Sequence, residues 1–108
     1  MHIEDLASAH LAALEFLLKH KKSEDFNLGS GKGYSVMEIV RQVEKVTGQK
    51  VKVKICPRRK GDPARLVAAS EKAARVLGWK PRHDMENIIR TAWNWERTSP
   101  RCARLGLR

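Results

Sequence analysis

The sequence predicts a small mixed α/β domain of about four helices and three to four short strands. Four segments show helical spacing of apolar residues or capping signals, and they alternate with short runs typical of strands. With 108 residues, 42% of them hydrophobic and 31% charged, the chain fits one small globular domain. A thin mixed layer of this kind usually needs a further surface to bury its second face.

The first helix is expected from Asp5 to Lys19, because apolar residues recur at helical spacing along one face. Asp5 is the expected N-cap. His10 lies on the apolar stripe, where a packed, hydrogen-bonded histidine is favoured over a ligand or a base.

A short strand is predicted at Phe26–Leu28, followed by a glycine-rich loop at residues 29–34. Ser35 then begins the second helix in a capping box with Glu38. Gly48 is the expected end of that helix.

The second half of the chain predicts two more strands and two more helices. Strict alternation over Val51–Ile55 predicts a strand, and a third short strand is expected at Leu66–Ala68. A small helix follows at residues 71–77, ended by Gly78, and the last helix is expected at residues 84–97.

Two further residues are predicted to lie in the core, Trp79 and Cys56. Cys56 and Cys102 are the only cysteines and form no C-x-x-C pair, so neither a zinc knuckle nor a redox motif is indicated. The first residues resemble no signal peptide, and no apolar run approaches the length of a membrane span. We therefore expect a cytoplasmic protein with no membrane partner.

The net charge of +10 raises the alternative of a small basic nucleic-acid-binding or protein-interaction module. The basic residues are spread along the chain without a nucleic-acid motif, which favours a solvated surface. Residues 100–108 are expected to form a flexible basic tail.

Two segments could hold a phosphate. The glycine-rich loop fails the Walker A pattern, since Lys32 is followed by Gly33, and its glycines lack the dinucleotide spacing. A tight turn that leads into a helix is the favoured interpretation.

The second segment is the basic turn at residues 58–62. Arg59 could clamp a phosphate oxygen, and Asp62 could accept hydrogen bonds from sugar hydroxyls. The same pattern also occurs as a plain surface turn, so both interpretations stay open. No catalytic or metal-binding set is predicted; four residues after the only tyrosine, Tyr34, comes Glu38 and not a lysine.

Five segments in this order resemble the carboxy-terminal third of bacterial UDP-glucose 4-epimerases, which belong to the extended short-chain dehydrogenase/reductases. They are residues 2–7 with 9–10 (HIEDLA, AH), 26–36 (FNLGSGKGYSV), 57–63 (PRRKGDP), 71–80 (EKA…LGWK) and 92–95 (AWNW). Together they span nearly all of residues 1–99.

The resemblance implies that residues 1–99 are the substrate-binding portion of a nucleotide-sugar epimerase, the substrate-side region of that fold. Family members bind NAD in an amino-terminal Rossmann domain and interconvert UDP-glucose and UDP-galactose through a C4 ketone. By motif match, Arg59 would pair with the UDP diphosphate and Asp62 with the ribose, while Arg58 is a weaker substrate-binding candidate.

The family's NAD fingerprint and its catalytic tyrosine and lysine lie upstream of the matched segments. We therefore expect that this chain alone binds no NAD and is inactive, and that a Rossmann-domain partner chain could restore turnover. Leu66 stands where some members carry a tyrosine near the substrate. A third interpretation is a remnant that folds poorly and self-associates through exposed apolar surface.

Overall fold

The computed structural model describes residues 1–99, which contain four α-helices. They are α1 (Ile3–His20), α2 (Val36–Thr47), α3 (Glu71–Leu77) and α4 (Met85–Thr98). The predicted tail at residues 100–108 lies outside the described residues. None of the four helices, in the part of the chain described, is long and apolar enough to cross a bilayer.

The predicted α/β class is wrong, because residues 1–99 contain helices and irregular segments but no β-ladder. Alternation over Val51–Ile55 favours an extended backbone, but a strand also needs a neighbouring strand to pair with. The N–H of Val51 donates to the Glu44 carboxylate at 3.2 Å instead. Ile55 is 93% exposed, so the alternation does not mark a buried face. The predicted strands at 26–28 and 66–68 likewise form no ladder among these residues.

The chain divides into two compact units. The first comprises Met1–Gly33 and Cys56–His83, and the second comprises Tyr34–Ile55 with the segment from residue 84 onward. The first unit contains α1 and α3, which contact each other, and the second contains α2 and α4, which also contact each other. The candidate site residues therefore all belong to the first unit.

The core of the first unit is small. Ala9 of α1, Ala73 of α3 and Trp79 are buried, and half-buried apolar residues surround them. The prediction that Trp79 lies in the core is confirmed, because its side chain is 5% exposed. Cys56 was also predicted there, but its thiol is free and exposed.

The amino end of α1 differs from the prediction. The helix begins at Ile3, and His2 is its N-cap, with Nδ1 accepting a hydrogen bond from the Glu4 N–H at 3.1 Å. Asp5, the predicted cap, lies inside the helix and is only 2% exposed. Its carboxylate accepts hydrogen bonds from two backbone N–H groups distant in sequence, those of Arg82 at 2.9 Å and His83 at 3.1 Å.

The ionisation of Asp5 follows from these contacts. Burial alone would raise its pKa, but the backbone N–H groups of Arg82 and His83 and the nearby imidazoles outweigh burial and lower the pKa from 3.8. The indole N–H of Trp79 donates to the Asp5 carbonyl and to the Ser8 hydroxyl, both at 3.0 Å. Asp5 therefore joins α1 to the chain around residues 79–83 through its backbone and its side chain.

The second unit shows the predicted capping of α2 and a cap of α4 that was not predicted. The Ser35 hydroxyl accepts from the Glu38 N–H at 3.1 Å, and the Ser35 N–H donates to the Glu38 carboxylate at 2.6 Å. Gly48, with φ of 68°, ends α2. Asp84 caps α4 by accepting from the Asn87 N–H at 2.8 Å. The capping box and the glycine end are therefore confirmed.

Candidate functional site

The predicted substrate-binding residues lie in one tight turn. Asp62 N–H points at the Arg59 carbonyl at 3.5 Å, and Gly61 has φ of 87°. A positive φ at the third position of a four-residue turn favours glycine, because a side chain there would be strained. The sequence Arg-Lys-Gly-Asp therefore brings Arg59 and Asp62 to the two ends of the same turn.

The side chains at the two ends of the turn face each other. Arg59 donates through Nε to Asp62 Oδ2 at 3.0 Å. Arg58 donates through Nη2 to the Asp62 carbonyl at 3.2 Å, so it supports the turn from the same side of the chain. The structure thus unites all three residues that were predicted to bind substrate.

The Arg59–Asp62 pair lies in solvent. The Arg59 side chain is 86% exposed and that of Asp62 is 46% exposed. An ion pair in this setting typically contributes no more than about 1 kcal/mol, because water screens both charges. An anionic ligand could therefore compete for Arg59 at little cost, and the terminal amino groups of its guanidinium stay accessible for bidentate contact.

The neighbouring charges suit an anion. Arg58, Arg59 and Lys60 are consecutive and exposed, whereas Asp62 is the one acidic residue of the turn. The arrangement can present up to three cations to a diphosphate and one carboxylate to hydroxyl donors.

The glycine-rich loop has a packing role. A Cβ built on Gly29 would lie 2.8 Å from the Cβ of Ala68, and one on Gly33 would lie 2.9 Å from a methyl group of Val67. Real side chains do not approach so closely, so glycine is needed where this loop passes the 67–68 segment. This close approach supports the interpretation of a structural loop over that of a phosphate loop.

A cleft of about 280 Å³ also lies in the first unit. It is lined by Leu14, Phe16 and Leu17 of α1 and by Lys22, Glu24 and Phe26 after it, among others. The residues of the basic turn are not part of its lining. Beside it, Lys72 donates to Glu24 at 2.5 Å, which lowers the pKa of Glu24 and raises that of Lys72.

One cluster of possible ligand groups, formed by His2, Glu4 and His83, was not predicted from the sequence. Their candidate ligand atoms lie within 4.8 Å of one another. Two of these residues stand at the start of α1 and the third lies about 80 positions away. Metal-binding motifs are recognised in a sequence by ligands a few positions apart, so a set spread over the chain in this way cannot be recognised from spacing.

Comparison with protein families gives one broad match. The family model described as GDP-mannose 4,6 dehydratase matches residues 2–92. Among curated proteins, the UDP-glucose 4-epimerase of Lacticaseibacillus casei is 50% identical over 101 residues, covering 93% of this chain and 30% of the relative. That of Streptococcus mutans is 49% identical over 102 residues, covering 94% of this chain and 31% of the relative.

Solved structures of UDP-glucose 4-epimerases are also similar to this chain. The UDP-glucose 4-epimerase of Stenotrophomonas maltophila, solved with NAD and formylated UDP-arabinopyranose, is similar with a TM-score of 0.89 and 44% identity. That of Bifidobacterium longum, solved with NAD+ and UDP, has a TM-score of 0.78 and 36% identity. The chain is covered to 94% and 93% in these matches, and each structure to 30%. The chain spans about 30% of the length of these relatives, and the predicted resemblance to UDP-glucose 4-epimerases is confirmed.

Proposed function

Since this chain belongs to the GDP-mannose 4,6 dehydratase family, we propose that it supplies the UDP-binding side of a UDP-glucose 4-epimerase-type site. The turn at residues 58–62 would bind the nucleotide, and the complete site would interconvert UDP-glucose and UDP-galactose. The similarity to structures solved with NAD and a UDP compound supports the choice of ligand.

One observation carries the proposal: Arg59 and Asp62 share an exposed ion pair 3.0 Å long at the ends of one turn. A diphosphate would take over the Arg59 guanidinium, because two charge-assisted hydrogen bonds to phosphate exceed one screened surface pair. The Asp62 carboxylate, relieved of that partner, would then accept hydrogen bonds from the ribose hydroxyls. Arg58, through its bond to the Asp62 carbonyl, would hold the turn in place.

The groups for hydride and proton transfer would come from other residues, whether of the same polypeptide or of a Rossmann-domain partner. The residues present do not fit NAD, because the glycines at 29, 31 and 33 lack the fingerprint spacing, and Gly29 and Gly33 serve close packing. Tyr34 also lacks a lysine four positions on, where Glu38 instead completes the capping box of α2. We accordingly assign no redox step to this chain.

A cytoplasmic location belongs to the same proposal. Cys56 is an exposed free thiol, which suits a reducing compartment.

Calorimetric titration of the chain with UDP tests the binding step. We expect Arg59→Ala and Asp62→Asn each to weaken UDP binding, by about tenfold or more for Arg59→Ala, since a charge-assisted hydrogen bond contributes roughly 1.5–3 kcal/mol. Lys60→Ala is the matched control, because it removes an exposed cation from the same turn and should have a smaller effect. Equal losses for Lys60→Ala and Arg59→Ala would indicate a diffuse charge effect and contradict the proposal.

The same variants distinguish UDP binding from the alternative of nucleic-acid binding. Filter binding of duplex DNA and RNA over a range of salt concentrations should show weak binding at physiological salt. Tight binding with a steep salt dependence, unchanged by Arg59→Ala, would favour the basic interaction module instead.

An epimerase assay with NAD and UDP-galactose tests whether turnover requires residues outside this chain. We expect turnover only when a Rossmann-domain fragment of a relative is added, and less of it with Arg59→Ala. Turnover by the 108 residues alone would show that the chemistry lies in this chain.

A further inference from the structure

Two imidazoles and a carboxylate meet in the first unit, at the start of α1. His83 Nε2 lies 3.0 Å from Glu4 Oε2. The rings of His2 and His83 stack with their centres 4.1 Å apart and their planes 22° from parallel. His2 is only 6% exposed, whereas the Glu4 side chain is 71% exposed, so the cluster has a buried side and a side open to solvent.

We propose that His2, Glu4 and His83 bind a divalent transition-metal ion of the Zn²⁺ type. Imidazole nitrogen and carboxylate oxygen are ligands that this class of ion accepts, and Mg²⁺ or Ca²⁺ would demand more oxygen ligands than the cluster offers. Three protein ligands leave one tetrahedral position for water on the open side. None of the three residues belongs to the proposed UDP-binding turn at residues 58–62, so metal binding and UDP binding can be tested separately.

The distances are close to those that chelation needs. Two ligand atoms held 2.0–2.2 Å from a tetrahedral zinc ion lie roughly 3.3–3.6 Å apart. The His83–Glu4 pair, at 3.0 Å, needs to open by only a few tenths of an ångström for an ion to replace the shared proton. All candidate ligand atoms of the three residues already lie within 4.8 Å of one another. The His2 lone pair on Nδ1 accepts from the Glu4 N–H, and the two rings are near-parallel, so the His2 imidazole must release that hydrogen bond and turn about its Cβ–Cγ bond when the ion binds.

The surroundings stabilise a bound cation. Asp5 lies next to Glu4 in the chain, and its buried carboxylate is anchored by the backbone N–H groups of Arg82 and His83. That anchoring fixes the backbone of His83 relative to α1, where the other two ligands stand. The Asp5 carboxylate bonds backbone N–H groups, so its support for a bound cation comes from its negative charge.

The test is titration of the full chain with Zn²⁺ by calorimetry, and with Co²⁺ by visible absorption. We expect one ion per chain, and no comparable binding of Mg²⁺. His83→Ala and Glu4→Gln should each weaken Zn²⁺ binding by more than the roughly 10–100-fold that loss of a supporting partner costs. Neither variant removes the His2 N-cap, and circular dichroism would confirm that both retain their helices.

The chain carries a matched control, because its other two histidines, His10 and His20, lie outside the cluster. The His10→Ala/His20→Ala double variant should bind Zn²⁺ like the parent chain. Loss of binding in that double variant, retained affinity in His83→Ala, or no binding by the parent chain would each overturn the proposal.

Discussion

Asp5 shows how one buried carboxylate can organise a small unit. It lies in the first turn of α1, and its partners, the N–H groups of Arg82 and His83, are 77 and 78 positions away. A buried carboxylate is expensive unless it is hydrogen-bonded, so the two N–H groups specify where the 79–83 segment must lie against α1. The indole of Trp79, bonded to the Asp5 carbonyl, reinforces the same contact.

Replacement of Asp5 by asparagine should lower the free energy of unfolding by about 1–3 kcal/mol at pH 7, because a charge-assisted bond is lost. The loss should depend on pH. The pKa of Asp5 is lower in the folded chain than its ordinary 3.8, so its stabilisation is complete above that value and is lost as pH falls through the folded pKa. Urea unfolding at neutral and acid pH measures both effects.

The difference in the free energy of unfolding between the parent chain and Asp5→Asn should accordingly decrease below about pH 3.8. Glu15→Gln is the control, since it removes an exposed carboxylate from the same helix. A gap that stays constant down to the lowest pH would show that the Asp5 charge has no part in stability.

The close approach of Gly29 to Ala68 can also be tested by substitution. An added Cβ would lie 2.8 Å from the Cβ of Ala68, so Gly29→Ala should destabilise the first unit by about 1–3 kcal/mol. Ala68→Gly in the same chain removes the colliding atom and should recover part of the loss. Chemical unfolding of the single and double variants measures the free energy of unfolding. A double variant that is no more stable than Gly29→Ala would show that contact with Ala68 is not the cause of the loss.

Site residues differed in how far the sequence could reveal them. Arg59 and Asp62 lie three positions apart around a glycine, so their meeting in one turn follows from local turn geometry. The role of Asp5 was misjudged, because an acidic residue at a helix start looks the same whether it caps the helix or bonds a distant segment. His83 meets His2 and Glu4 through tertiary contacts, which a local sequence pattern cannot indicate.

At the scale of single elements, helix ends were the predictable feature. Ser35, Gly48 and Gly78 act where predicted, because caps satisfy backbone groups within three or four residues. The strands were not predictable in the same way. The pattern of Val51–Ile55 describes one strand, but a ladder depends on a partner that the segment cannot specify.

The capping box of α2 can be tested by removing the Ser35 hydroxyl. Ser35→Ala should cost about 0.5–2 kcal/mol, because the Glu38 N–H at the start of the helix loses its acceptor. Far-ultraviolet circular dichroism during thermal unfolding measures the loss. Ser30→Ala, which removes a serine hydroxyl that bonds Lys32 outside any helix, should have a smaller effect. Equal effects of the two changes would contradict a capping role for Ser35.

On the scale of the whole molecule, little apolar surface is buried. Only Ala9, Ala73 and Trp79 form the buried apolar core of residues 1–99, and α2 and α4 have no fully buried residue. Large apolar side chains remain exposed instead, including Ile3 and Leu18 of α1 at 71% and 69%. The chain spans about 30% of its relatives' length, and an apolar face of this kind calls for a covering surface.

We expect a second copy of the chain to provide that cover at high concentration. Leu11, Leu14 and Leu18 are exposed at helical spacing on one side of α1, so two copies can bury these faces against each other. Sedimentation equilibrium should show association that increases with concentration, and Leu11→Gln/Leu18→Gln should remain monomeric. Leu66→Gln is the control, because Leu66 is 85% exposed but lies outside the helices. Equal loss of association in the control, or a parent chain that is monomeric throughout, would contradict an interface on α1.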